Sequence, residues 1–467
     1  MRSNLFYMLV LSIILAACNM GRKYQRPDLV LPSAFSDTAF ADTSSIADVH
    51  WQDFFQDTTL RQLIRTGLAN NHDLLVAVKR IDIAGRQLQQ ARALWQPALD
   101  VKAGMQYNRP SDNSLNGLSA NNFLGKSHIE NYLLSANLSW EIDIWGKISG
   151  RQEIARTEYL RTQEAARAVH TSLVAGIAQG YFNLLMLDTQ LSIAKQNLAL
   201  TDSFLTATRL LKDAGNVNLL AVQQAESQYH ATAALVPQLE QSIILQENAL
   251  QVLTGQLPGH VERNGQLTDI RLPGKLSTGV PLAMVGRRPE VRAAELSLRS
   301  AHASIGVARA NMYPAINLTA GAGLESFKSG NWLSVPGSLF GVAAGTIVQP
   351  VLQRRQLKTQ LEVAKAEAEI ATIQFRQSVL TATGEVMDAL QSTEKLHSQE
   401  EILLKQNKTL TDAVANAQLL FRSDMANYLE VITAQGDALQ AQLRLSVVQR
   451  DRLQAVVQLY RALGGGL

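Results

Sequence analysis

The sequence predicts a mainly α fold carrying four short strands, laid out as a duplicated helix–strand–strand–long helix–helix unit. Three observations predict it: the chain repeats itself over a long distance, four segments alternate with period two, and two long segments carry heptad seams. The repeat is direct. Residues 91–104, ARALWQPALDVKAG, match residues 308–321, ARANMYPAINLTAG, at a shift of 217 from Ala91 to Ala308. Further on, Gly215, Leu220, Val222 and Ala225 match Asp424, Leu429, Val431 and Ala434, at a shift of 209 from Leu220 to Leu429. A unit this long is no solenoid or propeller repeat, whose periods run to about 50 residues. It describes two similar halves building one object.

The first half begins behind a processing signal. Arg2 precedes an apolar run from Leu5 to Leu15 that is too short to span a bilayer, and Ala16 and Ala17 follow as small residues before a cut. Residues 1–17 therefore read as a signal peptide. The only cysteine, Cys18, comes next and completes Leu15-Ala16-Ala17-Cys18, which resembles a bacterial lipobox. In that reading Cys18 is the lipid-attachment residue and 18–56 is a lipid-anchored leader. One cysteine allows no internal disulfide.

Each element can be justified in chain order. From Asp57 to Trp95, Leu60, Leu63, Ile64, Leu68, Leu74, Leu75, Val78 and Ile81 recur at helical spacing. Pro97 ends that helix. Leu99, Val101, Ala103, Met105 and Tyr107 then alternate with Asp100, Lys102, Gly104, Gln106 and Asn108, a strand at about 98–108 with one apolar and one polar face. The Asn-, Ser- and Gly-rich 109–128 reads as a loop, and Leu134, Ala136, Leu138, Trp140 and Ile142 mark a second strand at about 131–143. In the second half Ile316, Leu318, Ala320, Ala322 and Leu324 repeat the alternation at about 315–326. A fourth strand at about 339–349 is less clean, because both its faces are small or apolar. Aligning Asp143 with Pro350 lowers the shift to 207, which locates ten missing residues within the strand pair, most naturally in its loop near 327–336.

No proline falls between Pro110 and Pro237 or after Pro350. Long helices are expected at about 147–212 and 354–421. Leu184, Leu187, Leu191, Ala194 and Leu198 form a heptad seam on the first, and Leu357, Leu361, Ala364, Ala368, Ala371 and Phe375 one on the second. Each would be roughly 100 Å long. Turns reverse the chain into helices at about 217–254, broken at Pro237, and 427–463, stopped by Gly464, Gly465 and Gly466. The repeats accordingly span 57–255 and 281–467, with 256–280 between them as a linker or equatorial segment.

Chemistry-bearing constellations are missing. The near-neutral charge of +3 carries no nucleic-acid footprint. The eight histidines (50, 72, 128, 170, 230, 260, 302 and 397) show no helical ligand pair, so no metal site is expected, and no nucleotide or cofactor fingerprint occurs. Glu141 and Asp143 share a strand face but lack apolar surroundings that would split their pKa values, so they read as wetted polar residues, and no catalytic residue is expected. The strands say more: each has about the length a tilted strand needs to cross a bilayer. Alternation alone also fits a soluble sheet with one buried face. If the strands span, four cannot close, since the smallest membrane barrels have about eight strands and open edges in hydrocarbon are costly. Two chains would supply eight strands and three would supply twelve. Eight-stranded barrels fill with side chains, so a pore favours three, although periodicity does not choose.

GRKYQRP (21–27), WQDFFQDTTLRQLI (51–64), LTGQLPG (253–259), VPLAMVGRRPEVRAAE (280–295), IGVARANMYPAINLTAG (305–321) and LYRALGGG (459–466) together resemble the TolC-like outer-membrane factors of tripartite efflux pumps, in their lipoprotein branch, nearly end to end. The resemblance implies a homotrimer forming a shared 12-stranded β-barrel in the outer membrane on a 12-helix periplasmic α-barrel. It implies a passive exit duct with no cofactor, whose partners are a periplasmic adaptor (membrane fusion) protein, an inner-membrane transporter of the RND type and outer-membrane lipid. The closable end would lie at the helix–helix turns. There Asp213, Gly215, Arg422 and Asp424 are the expected periplasmic tip and gate, with Arg422 able to pair with carboxylates. Asp424 stands where the family usually has Gly. The rival expectation is a periplasmic coiled-coil scaffold or adaptor lipoprotein without a pore.

Overall fold

A computed structural model describes residues 24–27, 45–263, 265–272, 286–423 and 425–466. Its elements follow the duplicated order. In the first half α1 (Trp51–Phe54), α2 (Thr58–Asn70) and α3 (His72–Ala93) precede β1 (Ala98–Asn108), α4 (Leu115–Ser119), β2 (Ile129–Ile142), α5 (Lys147–Asp213) and α6 (Leu219–Leu253). In the second half α7 (Pro289–Ala310), β3 (Ala315–Ser326), β4 (Leu339–Val348), α8 (Gln356–Arg422) and α9 (Tyr428–Ala462) follow. The chain divides into two compact units. One comprises 1–27, 82–160 and 296–373; the other comprises 28–81, 161–295 and 374–467.

The repeat is stricter than the sequence showed. Helix α3 maps onto α7 at 217 (His72 to Pro289, Ala93 to Ala310), while α5 maps onto α8 and α6 onto α9 at 209 (Lys147 to Gln356, Asp213 to Arg422, Leu219 to Tyr428, Leu253 to Ala462). The change is therefore eight residues, not ten. It lies in the hairpin loop: 109–128 joins β1 to β2 with 20 residues, and 327–338 joins β3 to β4 with 12. Aligning Asp143 with Pro350 misplaced two residues because the second half has a longer link from strand to helix.

The first unit holds an antiparallel sheet in the order β1-β2-β3-β4. Its register keeps like with like. Leu99, Val101 and Ala103 stand opposite Leu138, Ala136 and Leu134; these stand opposite Ala320, Ala322 and Leu324; and these opposite Ala343, Gly341 and Leu339. One face is thus apolar across all four strands. The other carries Asp100, Lys102, Gln106, Asn131, Asn137, Asn317 and Thr319. Register also sorts the ambiguous fourth strand. Its Leu339 and Ile347 continue the apolar face, while Phe340 and Val342 lie on the polar face opposite Gly323 and Gly321. Glycine is obligatory at 323, where a Cβ would sit 2.0 Å from the Leu134 carbonyl oxygen on β2. Such a close approach of backbones leaves no room for a side chain there.

Much of the heptad seams is core: Leu184, Leu187 and Ala194 on α5 and Ala364, Ala368, Ala371 and Phe375 on α8 are buried at the expected spacing. In the second unit the end of α9 adds an aromatic contact. The ring of Phe54 stacks on Tyr460 with centroids 4.0 Å apart, and the Tyr460 hydroxyl donates to the Val49 carbonyl at 2.6 Å. Burial pushes that phenol up to about 12. This stack fixes α1 against the end of α9.

Three expectations change. The single helix from Asp57 to Trp95 is two, separated at Asn71, whose extended backbone ends α2. Its side chain accepts from Leu74 N at 2.9 Å and donates to the Leu253 carbonyl at 2.9 Å, so a helix break doubles as a tie to α6. Pro237 does not break α6, which runs continuously from Leu219 to Leu253. Its ring lies on the exposed side and only the bond to the Ala233 carbonyl is forfeited, while the flanking turns stay packed. The loop 109–128 contains α4, capped by Ser114 Oγ accepting from Gly117 N at 3.1 Å.

Candidate functional site

Among the described residues no group of His, Cys, Asp and Glu is placed to hold a metal ion, so the candidate functional regions are the sheet and the interhelical turns. The sheet's strands of 10–14 residues suit a tilted bilayer crossing, with an apolar face for lipid, turning polar only at its Glu130 and Ser326 end, and a polar face for water. β1 and β4 each have one strand neighbour in the chain. No described helix is long and apolar enough to cross a membrane.

Where β2 leaves the sheet, the residues first weighed as an acid–base pair have structural work. Asp143 accepts from Ile148 N (2.9 Å), Ser149 N (2.8 Å) and Ser149 Oγ (2.9 Å), satisfying first-turn donors of α5. Glu141 pairs with Lys147 at 2.7 Å. Trp145 donates to the Pro314 carbonyl at 2.8 Å and stacks on Tyr313, centroids 5.0 Å apart. These groups line a cavity of about 200 Å³ at the foot of the sheet. They are partnered rather than freely wetted, because starting a helix directly after a strand leaves donors that need acceptors.

The expected tip is the pair of interhelical turns, both of which lie in the second unit. Gly215 has φ +78°. Its N–H reaches the Lys212 carbonyl at 3.0 Å, and Asn216 N reaches the Leu211 carbonyl at 2.9 Å, a left-handed helix ending that favours Gly. Asn218 then caps α6 by accepting from Ala221 N at 3.0 Å. The second turn repeats this 209 residues on: Met425 N reaches the Leu420 carbonyl at 2.9 Å, and Asn427 accepts from Leu429 N and Glu430 N at 2.9 and 3.1 Å. Phe204, Leu205, Val222, Ala225 and Val431 form one buried cluster that Phe421 and Tyr428 pack against. Phe204 and Phe421 bring α5 and α8 together, ring centroids 5.5 Å apart.

Of the expected site residues, the structure places Asp213, exposed and 3.2 Å from Lys212, Gly215 in its turn, and Arg422, exposed at the end of α8. Asp424 and Cys18 lie outside the described residues. Sequence reasoning missed the two caps, Asn218 and Asn427, although an asparagine before an apolar run is a readable cap. It also missed two paired arginines, Arg263, which is half-buried, and Arg288, which is buried. Arg263 donates to Asp188, at 2.9 Å through Nη2, and to Glu247 and the Val261 carbonyl. Burial alone would raise the Glu247 carboxyl, but Arg263, Val261 N and His260 outweigh it and hold it below its ordinary value. Arg288, nearly fully buried, lies 2.7 Å from Glu385. Its signal was the RRPE stretch, read only as resemblance.

A sheet with a lipid face and a wet face, joined in one chain to long paired helices, defines an outer-membrane channel protein. The sequence profile of the family described as "Outer membrane efflux protein" matches residues 63–256 and 283–465, and the chain belongs to that family. It is similar to the "Probable outer membrane lipoprotein SilC" of Salmonella typhimurium, 29% identical, covering 97% of this chain and 96% of that one. The "Cation efflux system protein CusC" of Escherichia coli K12 is 28% identical over 97% and 98% of the two chains. Among solved structures, the open state of the Neisseria gonorrhoeae MtrE outer membrane channel matches with TM-score 0.86 and 26% identity, over 96% of this chain and 99% of that one. This protein is an outer-membrane exit channel of an efflux system. The rival scaffold without a pore is set aside.

Proposed function

We propose that three copies assemble into one continuous duct, each giving four strands to a shared twelve-stranded barrel and two helical hairpins to a shared tunnel. The observation that carries this is the open sheet, whose β1 and β4 have free sides and whose two faces differ in polarity from edge to edge. In hydrocarbon those edges must pair, and three copies leave a wet lumen where two would not. The duct is passive and performs no catalysis. Cargo is supplied through a periplasmic adaptor and an inner-membrane transporter, of the RND type, docked at the tips. Both tips expose the same apolar pairs, Leu210 with Leu419 and Leu220 with Leu429, which suits a partner meeting every tip alike. Cys18 carries the lipid anchor. Relatives are named for cation and for toluene efflux, so the duct's shape serves cargo of more than one kind.

The test is membrane integration together with conductance. Outer-membrane fractions should yield detergent-resistant trimers that form pores in planar bilayers, and the Cys18→Ala chain should stay in the membrane through an alkaline wash. Release of Cys18→Ala, or a trimer without conductance, would overturn the reading.

A further inference from the structure

The duplication can be followed across the wet face of the sheet. Gln106 stands opposite Asn131 on the first hairpin, and Gly323 opposite Phe340 on the second. β1 therefore maps onto β3 at 217 and β2 onto β4 at 209, and a wet-face residue of one hairpin has its counterpart in the other. Asp100 corresponds to Asn317 and Lys102 to Thr319, while Gln106 corresponds to Gly323, Asn131 to Phe340 and Ser139 to Val348. Leu133 and Val342 correspond and are apolar in both halves.

The two hairpins consequently present different chemistry on that face. β1 carries an acid and a base, Asp100 and Lys102. From Gly323 to Ala315 and from Phe340 to Val348 the wet face of β3 and β4 carries no charge, and Val342 and Val348 are 58% and 55% exposed. Phe340 is half-buried and stands beside Gly323, which has no side chain to cover it. These side chains do not serve lipid, because Leu339 and Ile347 on the opposite face of the same strand do so. Left against water they gain nothing, whereas covering them with an apolar solute is favourable.

We propose that the wet face of the barrel is divided into sectors, charged on each β1–β2 hairpin and apolar on each β3–β4 hairpin, and that Phe340, Val342 and Val348 form a weak docking surface for organic cargo bearing aromatic or aliphatic groups. This rests on the assembly proposed above, in which each sector recurs three times around the lumen. The occupant follows from the position. Lipid lies behind the wall, so the wet face meets only water and what passes through. Of these, an organic solute gains by covering Phe340, and a bare hydrated cation does not. Lumen-facing side chains set selectivity in membrane barrels without altering their lipid face. Three side chains on a flat wall hold cargo only briefly, which suits a duct that must release what it admits.

The experiment is single-channel recording of the full chain in planar bilayers, with tetraphenylphosphonium as the organic probe and tetramethylammonium as a small cation of equal charge. Tetraphenylphosphonium should produce current reductions in the wild type that tetramethylammonium does not. Phe340→Asn with Val348→Ser installs the residues that the first hairpin has at those places. It should shorten the reductions about fivefold, the share of one partly covered aromatic side chain, while conductance in potassium chloride stays unchanged. Phe340→Leu, which keeps an apolar side chain, should retain them. The reverse exchange, Asn131→Phe with Ser139→Val, should lengthen them. Reductions that are absent in the wild type, alike for both cations, or equally long in Phe340→Asn with Val348→Ser would overturn the apolar sector and leave the duct standing. A wild-type chain that forms no conducting trimer would overturn the assembly and the sector with it.

Discussion

At the scale of single residues, the tips and the Arg263 cluster make separate demands. Asp213 is exposed beside the turn, and Asp424 holds the position that Gly215 occupies in the first half. If these carboxylates ring the closable end, Asp213→Ala and Asp424→Ala should each raise leakage through the closed state and reduce cation preference in single-channel recordings; unchanged traces would remove them from the gate. The Arg263 cluster predicts a pH dependence. Glu247 is held below its ordinary value in the folded chain. Its contribution to stability is therefore complete above the unfolded pKa, about 4.3, and is lost as pH falls through the lower folded value. Thermal melts taken downward from neutral pH should show the wild type losing stability in that window, with Glu247→Gln less stable at neutral pH and flatter below it.

At the scale of elements, the strands and the helix caps carry the sharpest consequences. A Cβ at 323 meets backbone rather than a yielding side chain, so Gly323→Val should block close pairing of β2 with β3. The expected readout is loss of the detergent-resistant assembly, with helical content by circular dichroism retained in the part of the chain outside the sheet. The caps are milder. Asn218→Ala and Asn427→Ala each remove an acceptor for first-turn N–H groups and should cost about 1 kcal/mol. That cost should appear as faster amide exchange at the starts of α6 and α9, and equal behaviour of the two variants would follow from their equivalent places in the repeat. Pro237 shows why propensity misled here: one absent hydrogen bond is a local cost, and packing on both sides of it outweighs that cost.

At the scale of the whole molecule, duplication organises the function. The two halves keep helix lengths in register, 67 residues for α5 and for α8 and 35 for α6 and for α9, and differ by eight residues in the hairpin loops. Helices that line one tunnel must match in length, whereas loops beyond the sheet are free to differ. Shortening the 109–128 loop by eight residues should therefore leave assembly and conductance close to wild type; collapse of the trimer would show that the long loop has structural work.

The sequence by itself determined the repeat, the four strands, the long helices and the family, because period-two alternation, heptad spacing and the absence of proline are local patterns that survive without coordinates. It also located the tip turns, since Gly215 and the run of small and polar residues around it interrupt a helix in a readable way. Only the tertiary structure decided the rest. Register assigned Phe340 and Val342 to the polar face, which alternation could not do for a strand apolar on both sides. Asn71 broke a helix whose pattern continued through it, because its partner, the Leu253 carbonyl, is far away in the chain. Arg263 found Asp188, 75 residues away, and Glu247, 16 residues away. Contacts between residues distant in sequence leave no periodic trace, and those contacts fix which exposed apolar faces remain for another copy to cover.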